Sequence, residues 1–115
     1  MNIVVVQGVL SSEPVERTLP SGTTVMDWNV SVETGAAKQS VPVQWTEPSK
    51  AVQRFDKGDA VVVLGTVQRR FFQARGSLAS RTEVVGEAVS KPTQRVATRK
   101  ILERATEALA TGSAS

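Results

Sequence analysis

Hydrophobic and polar positions alternate with strand periodicity over most of the chain and change to helical spacing in two places. Ile3 to Leu10 is a β-branched run with apolar residues on both alternating faces, broken by Ser11, Ser12, Glu13 and Pro14. Such a run predicts a strand covered on two sides. After a turn signal at Pro20, Ser21 and Gly22, Val25 to Glu33 places Met26, Trp28, Val30 and Val32 on one face. Asp27, Asn29, Ser31 and Glu33 fall on the other, as in a half-exposed strand. Gly35, Ala36 and Ala37 predict a short hairpin into a third strand, Gln39 to Trp45, which Pro42 confines to an edge or a bulge.

Between Thr46 and Phe55 the apolar residues Ala51, Val52 and Phe55 follow helical spacing, and Pro48 suits a first helical turn. Asp56 to Asp59 then turns the chain into the longest strand, Ala60 to Phe72, apolar on both faces near its start. Arg75, Gly76 and Ser77 predict a hairpin tip and Ala79 to Val89 a fifth strand, which Lys91 and Pro92 end. Five strands with one short helix between the third and fourth is the element order of an OB-fold barrel, so a mainly β fold is expected. Thr93 to Ala110 carries Ile101, Leu102, Ala105, Ala108 and Leu109 along one side, the pattern of an amphipathic helix, and Thr111 to Ser115 is expected to fray. A chain of 115 residues has material for one core. The expected division is a barrel over 1–92 and a helix with its tail over 93–115.

Composition removes several classes of chemistry. The chain has no Cys, His or Tyr, so disulfides, the commonest proton shuttles and the soft metal ligands are missing, and the acidic residues are scattered through turns. Neither catalysis nor a metal nor a cofactor is expected. Gly58, Gly65 and Gly76 stand alone, which gives no phosphate-cradling loop. No apolar run approaches the roughly 20 residues of a membrane span, and the first residues lack a basic leader and a cleavage pattern, so a soluble cytoplasmic protein is expected. The formal net charge is +3, yet up to Ser90 nine basic residues face nine acidic ones. The excess begins at Lys91, and net charge by itself therefore argues for no polyanionic partner.

The remaining candidate is the segment Gln68 to Arg75, where Arg69, Arg70 and Arg75 flank Phe71 and Phe72. Single strands are held by cations along the phosphates and by rings under the bases, so this interleaving suits a nucleic-acid surface as well as a solvated hairpin. Alternation puts Gln68, Arg70 and Phe72 on one face and Arg69 and Phe71 on the other. One Phe is expected to face inward, and Phe72 is assigned to the ligand. Trp28, among Met26, Val30 and Val32, reads as core, as does Phe55. Trp45, where the third strand gives way to the helix, is either a cap on the barrel or a stacking platform.

Val4 to Leu10, then Glu13, Pro14, Val15, Glu16 and Arg17, then Pro20, Ser21 and Gly22, resembles the opening of the bacterial single-stranded DNA-binding proteins. Lys57, Gly58, Val61, Val63, Gly65 and Gln68 to Phe72 resemble that family's fourth strand, and Arg81 to Val89 its fifth. The resemblance implies an OB fold, a homotetramer or dimer, and sequence-tolerant binding of single-stranded DNA in replication, recombination or repair, at the nucleoid. It places Trp45 and Phe72 at stacking positions and Arg70 beside the DNA track, with Arg69, Arg75 and Lys38 as electrostatic helpers. Thr66 and Gln68 stand at places commonly basic in actinobacterial members, which implies weaker phosphate binding. The hairpin near Gly35 lacks the family's aromatic residues, and the tail lacks its acidic, hydrophobic tip. These departures fit a divergent or paralogous member. Apolar residues on both faces of Ile3 to Val9, and at Val62 and Leu64, would suit self-association. The alternative reading is a protein-interaction module of a replication or primosome complex that has kept the barrel, with an RNA-binding domain as a third.

Overall fold

The computed structural model describes residues 2–111. Six strands and two helices follow in order: β1 (Val4–Leu10), β2 (Val15–Thr18), β3 (Thr24–Thr34), β4 (Ala37–Thr46), α1 (Lys50–Gln53), β5 (Ala60–Ala74), β6 (Ser77–Ser90) and α2 (Arg95–Thr111). The sheet closes through β1–β5–β6–β4–β3 and back to β1, with every pairing antiparallel except β4 with β6. This closed, mixed five-stranded circuit with α1 between β4 and β5 is an OB-like barrel.

β2 is a short addition that the residue pattern does not predict. It pairs with Thr24 to Asp27 along the edge of β3 that β1 uses at Val30 and Ser31. β1 and β2 thus share one edge, separated by the break at Glu13 and Pro14. With Val15 exposed and no residue in the core, Val15–Thr18 carries no hydrophobic signal of its own.

Inside the barrel, Leu10, Met26, Trp28, Val30, Val43, Val61, Val63 and Val84 pack with Trp45, Val52 and Phe55. Trp28 meets Trp45 edge-on at 5.1 Å between ring centroids and Phe55 at 5.5 Å. α1 is a single turn rather than the helix predicted from Thr46 onward. Glu47 takes a positive φ of 48° after β4, and only at Ser49, whose hydroxyl accepts from the Val52 backbone N–H, does the turn begin. Pro42 sits opposite Asn29, immediately before Val43 and Gln44 make the short parallel pairing with β6. Its missing donor costs that pairing nothing.

The outer faces of β5 and β6 explain the second apolar face of the long strand. Val62 and Leu64 are covered by Ile101 and Ala105 of α2, with Ile3 and Ala88 at the margin. The helix therefore supplies within the chain the cover that Val62 and Leu64 were expected to find in a second copy, whereas Val5 and Val9 on β1 stay exposed. Truncating Ile101 to Ala should lower stability by about 2 kcal/mol, the low end for a buried aliphatic side chain, because α2 can settle toward the barrel. Urea denaturation checks this, and a change within error would mean that α2 is not held by this contact. The expected fraying from Thr111 onward falls, beyond Thr111 itself, outside the described residues.

Candidate nucleic-acid interface

β3 and β5 both run antiparallel to β1, so their hairpins project from the same end of the barrel. The β5–β6 hairpin is much the longer. Its last core residues are Leu64 and Val84, yet the two strands stay paired to Ala74 and Ser77. Arg75 and Gly76, with φ of 52° and 78°, close it as a two-residue turn of the kind that matches the strand twist. At the base, the Asn2 side chain accepts from the Val67 N–H and donates to the Val67 carbonyl, which ties the ribbon to the start of the chain.

Both Phe71 and Phe72 stand on this ribbon beyond the barrel's end, 61 % and 40 % exposed. The expectation that one of them faces inward fails for this reason: alternation continues, but there is no interior left at their level. Register pairs Arg69 with Thr82, Arg70 with Arg81, Phe71 with Ser80 and Phe72 with Ala79. One face presents Arg70, Arg81 and Phe72; the other presents Arg69, Phe71 and the exposed Leu78. The Arg70 guanidinium lies over the Phe72 ring, 6.0 Å from its centroid. Arg75 is exposed at the tip.

Trp45 does not belong to this surface. It is 4 % exposed, packed on Trp28, and its ring fills the space where a Cβ on Gly86 would stand 2.6 Å away. No face of the indole is open to a base, so the cap reading holds and the stacking role is withdrawn. A glycine at 86 is what lets the ring lie flat against β6. Lys38 is not brought to the ribbon either. It lines a separate cleft with Gln7, Gly8, Val9 and Glu33 on the β1 side of the barrel. Trp28 and Phe55 lie in the core, as their neighbours in the sequence predict.

Two residues that residue pattern alone passes over join the ribbon through pairing. Arg81 stands directly across from Arg70, and Glu83 directly across from Gln68. A turn placed at Arg75–Gly76 already fixes both pairings. Glu83 is nearly closed to solvent, its Oε1 accepting from Gln68 Nε2 at 3.2 Å and lying 3.4 Å from Arg70 Nε. The second contact is an ion pair without a hydrogen bond, since Arg70 Nε is buried and has no acceptor in line. Further along the same outer face, Arg17 donates to Asp27. That hydrogen bond raises the Arg17 pKa above its ordinary value against the opposing effect of burial, and the charges of Asp27 and then Glu83 add to the rise.

No known protein family matches the chain, and no characterised protein is significantly similar to it. Among the described residues, no three His, Cys, Asp or Glu side chains gather as a metal site, and no helix is long and apolar enough to cross a membrane.

Proposed function

We propose that this protein binds single-stranded nucleic acid, DNA in the first place, without sequence preference, by laying the strand along the β5–β6 ribbon. The observation that carries the reading is the pair of exposed rings, Phe71 and Phe72, interleaved with Arg69, Arg70, Arg75 and Arg81 on a ribbon that runs on past the barrel core. Rings accept any base, and guanidinium groups meet the phosphates on either side, so occupancy and protection of the strand need no catalytic group. Its setting would be replication, recombination or repair at the nucleoid in the cytoplasm, as a homodimer or homotetramer whose contact includes the exposed Val5 and Val9 of β1.

Because both indoles lie in the core, tryptophan fluorescence is a poor reporter of this surface. The anisotropy of a labelled oligo-dT, titrated at several salt concentrations, is the direct test. Binding should weaken with a log–log slope of about −2, at roughly 0.7 for each phosphate neutralised. No binding at low salt would sink the reading, and competition with a matched RNA oligomer decides between the two sugars.

A protein-interaction role has its own support on α2, where Leu102 and Leu109, seven residues apart and so on one side of the helix, are both exposed. Removing α2 whole would uncover Val62 and Leu64, so the fair test is Leu102→Ser with Leu109→Ser. Loss of a replication or primosome partner from that variant, in a chain that never binds the oligomer, would favour the second reading.

A further inference from the structure

Arg70 is held from two sides. Phe72 lies under its guanidinium at 6.0 Å, and the carboxylate of Glu83 lies 3.4 Å from its Nε. The Glu83 side chain is 1 % exposed, whereas 37 % of the Arg70 side chain is open although its Nε is buried. The arginine therefore turns its inner edge to the acid and leaves its exposed part at the ribbon surface.

A carboxylate so enclosed must be compensated, because an ion taken from water without a partner is strongly destabilised. Gln68 supplies one hydrogen bond to Oε1, and the positive charges come from Arg70 and, at longer range, from Arg17. Arg70 also faces Arg81 across the strands, a like-charged pair that Glu83 relieves. The acid thus sits under the one face of the ribbon that carries two arginines and a ring.

We infer that Glu83 is a built-in counter-anion that positions Arg70 against Phe72 and competes with nucleic-acid phosphate for its charge. This rests on the ribbon being the binding surface. A phosphate reaching Arg70 meets a guanidinium whose charge is already matched from below, so the site binds less tightly than its arginines alone would make it. The competition acts on charge, not on shape.

Glu83→Gln keeps the volume and a hydrogen-bonding group and removes the charge. Measured by anisotropy with labelled oligo-dT, it should bind on the order of tenfold more tightly at low salt, since one fewer like charge opposes the phosphate. Its log–log salt slope should steepen by about 0.7, the share of one added phosphate. Arg70→Gln with Glu83→Gln removes both charges and should return the slope to that of the unaltered chain. Should Glu83→Gln fail to fold, Glu83→Met, of similar volume and uncharged, carries the same expectation. Unchanged or weaker binding by the charge-removed protein, or a steeper slope that survives in the double variant, overturns the role of Glu83 while leaving the ribbon as the binding surface. No binding by the unaltered chain overturns both.

Discussion

Replacing Phe71 and Phe72 together by alanine will weaken oligo-dT binding by at least about fivefold at low salt and leave the melting temperature near that of the unaltered chain. Each base stacked on a ring contributes roughly 1 to 3 kcal/mol, and a strand that follows one face of the ribbon stacks on at least one of the two rings. Stability should be spared because both side chains stand outside the core. The rings occupy opposite faces of the ribbon, and the single variants therefore report which face the strand follows. A larger loss for Phe72 would place the strand over Arg70 and Arg81; a larger loss for Phe71 would place it over Arg69 and Leu78. Unchanged affinity in the double variant would mean that the strand, if bound, lies elsewhere.

Trp45→Ala has the largest expected effect on the fold. A buried ring that size contributes about 3 to 5 kcal/mol when truncated, a large share of the roughly 5 to 15 kcal/mol by which domains of this size are stable. Urea denaturation should show a fall of that order. Trp45→Phe should cost far less, because the indole nitrogen has no acceptor and its loss leaves nothing unpaired. The same Trp45→Phe protein should bind oligo-dT as the unaltered chain does. A loss of affinity comparable to that of the Phe71 and Phe72 variant would mean that the indole reaches the ligand after all.

The barrel is legible in the sequence because its strands obey the simplest rule available. Met26, Trp28, Val30 and Val32 repeat every second residue, and the structure turns that face inward. The doubly apolar start of β5 is equally plain, although its cause, α2 over Val62 and Leu64, lies some forty residues further on. β2 escapes notice because a four-residue edge strand without a buried side chain has no periodic signal to give. α1 is shorter than its apolar spacing suggests, since the backbone at Glu47 must first turn the chain away from β4.

At the site, the segment from Gln68 to Arg75 is recognisable by composition, but the disposition of its rings depends on how far β5 runs past the barrel, which no local pattern encodes. Trp45 shows the opposite difficulty. Alternation puts it on the face of Val41 and Val43, but its place at the end of the strand leaves cap and stacking platform both open, and only the bare backbone of Gly86 on the neighbouring strand shows that the ring is closed in. Glu83 looks like an ordinary acid between Thr82 and Val84 until the pairing puts it beside Arg70.

The parallel contact between Val43 and Val84 also governs the order in which the molecule can assemble. β3 and β4 are joined by a tight hairpin and can zip together locally, as can β5 and β6, but the two ribbons meet only when segments distant along the chain find one another. Loop-closure entropy opposes that encounter before any burial rewards it. Folding should accordingly be paced by this docking, on the millisecond-to-second scale of barrels dominated by distant pairings.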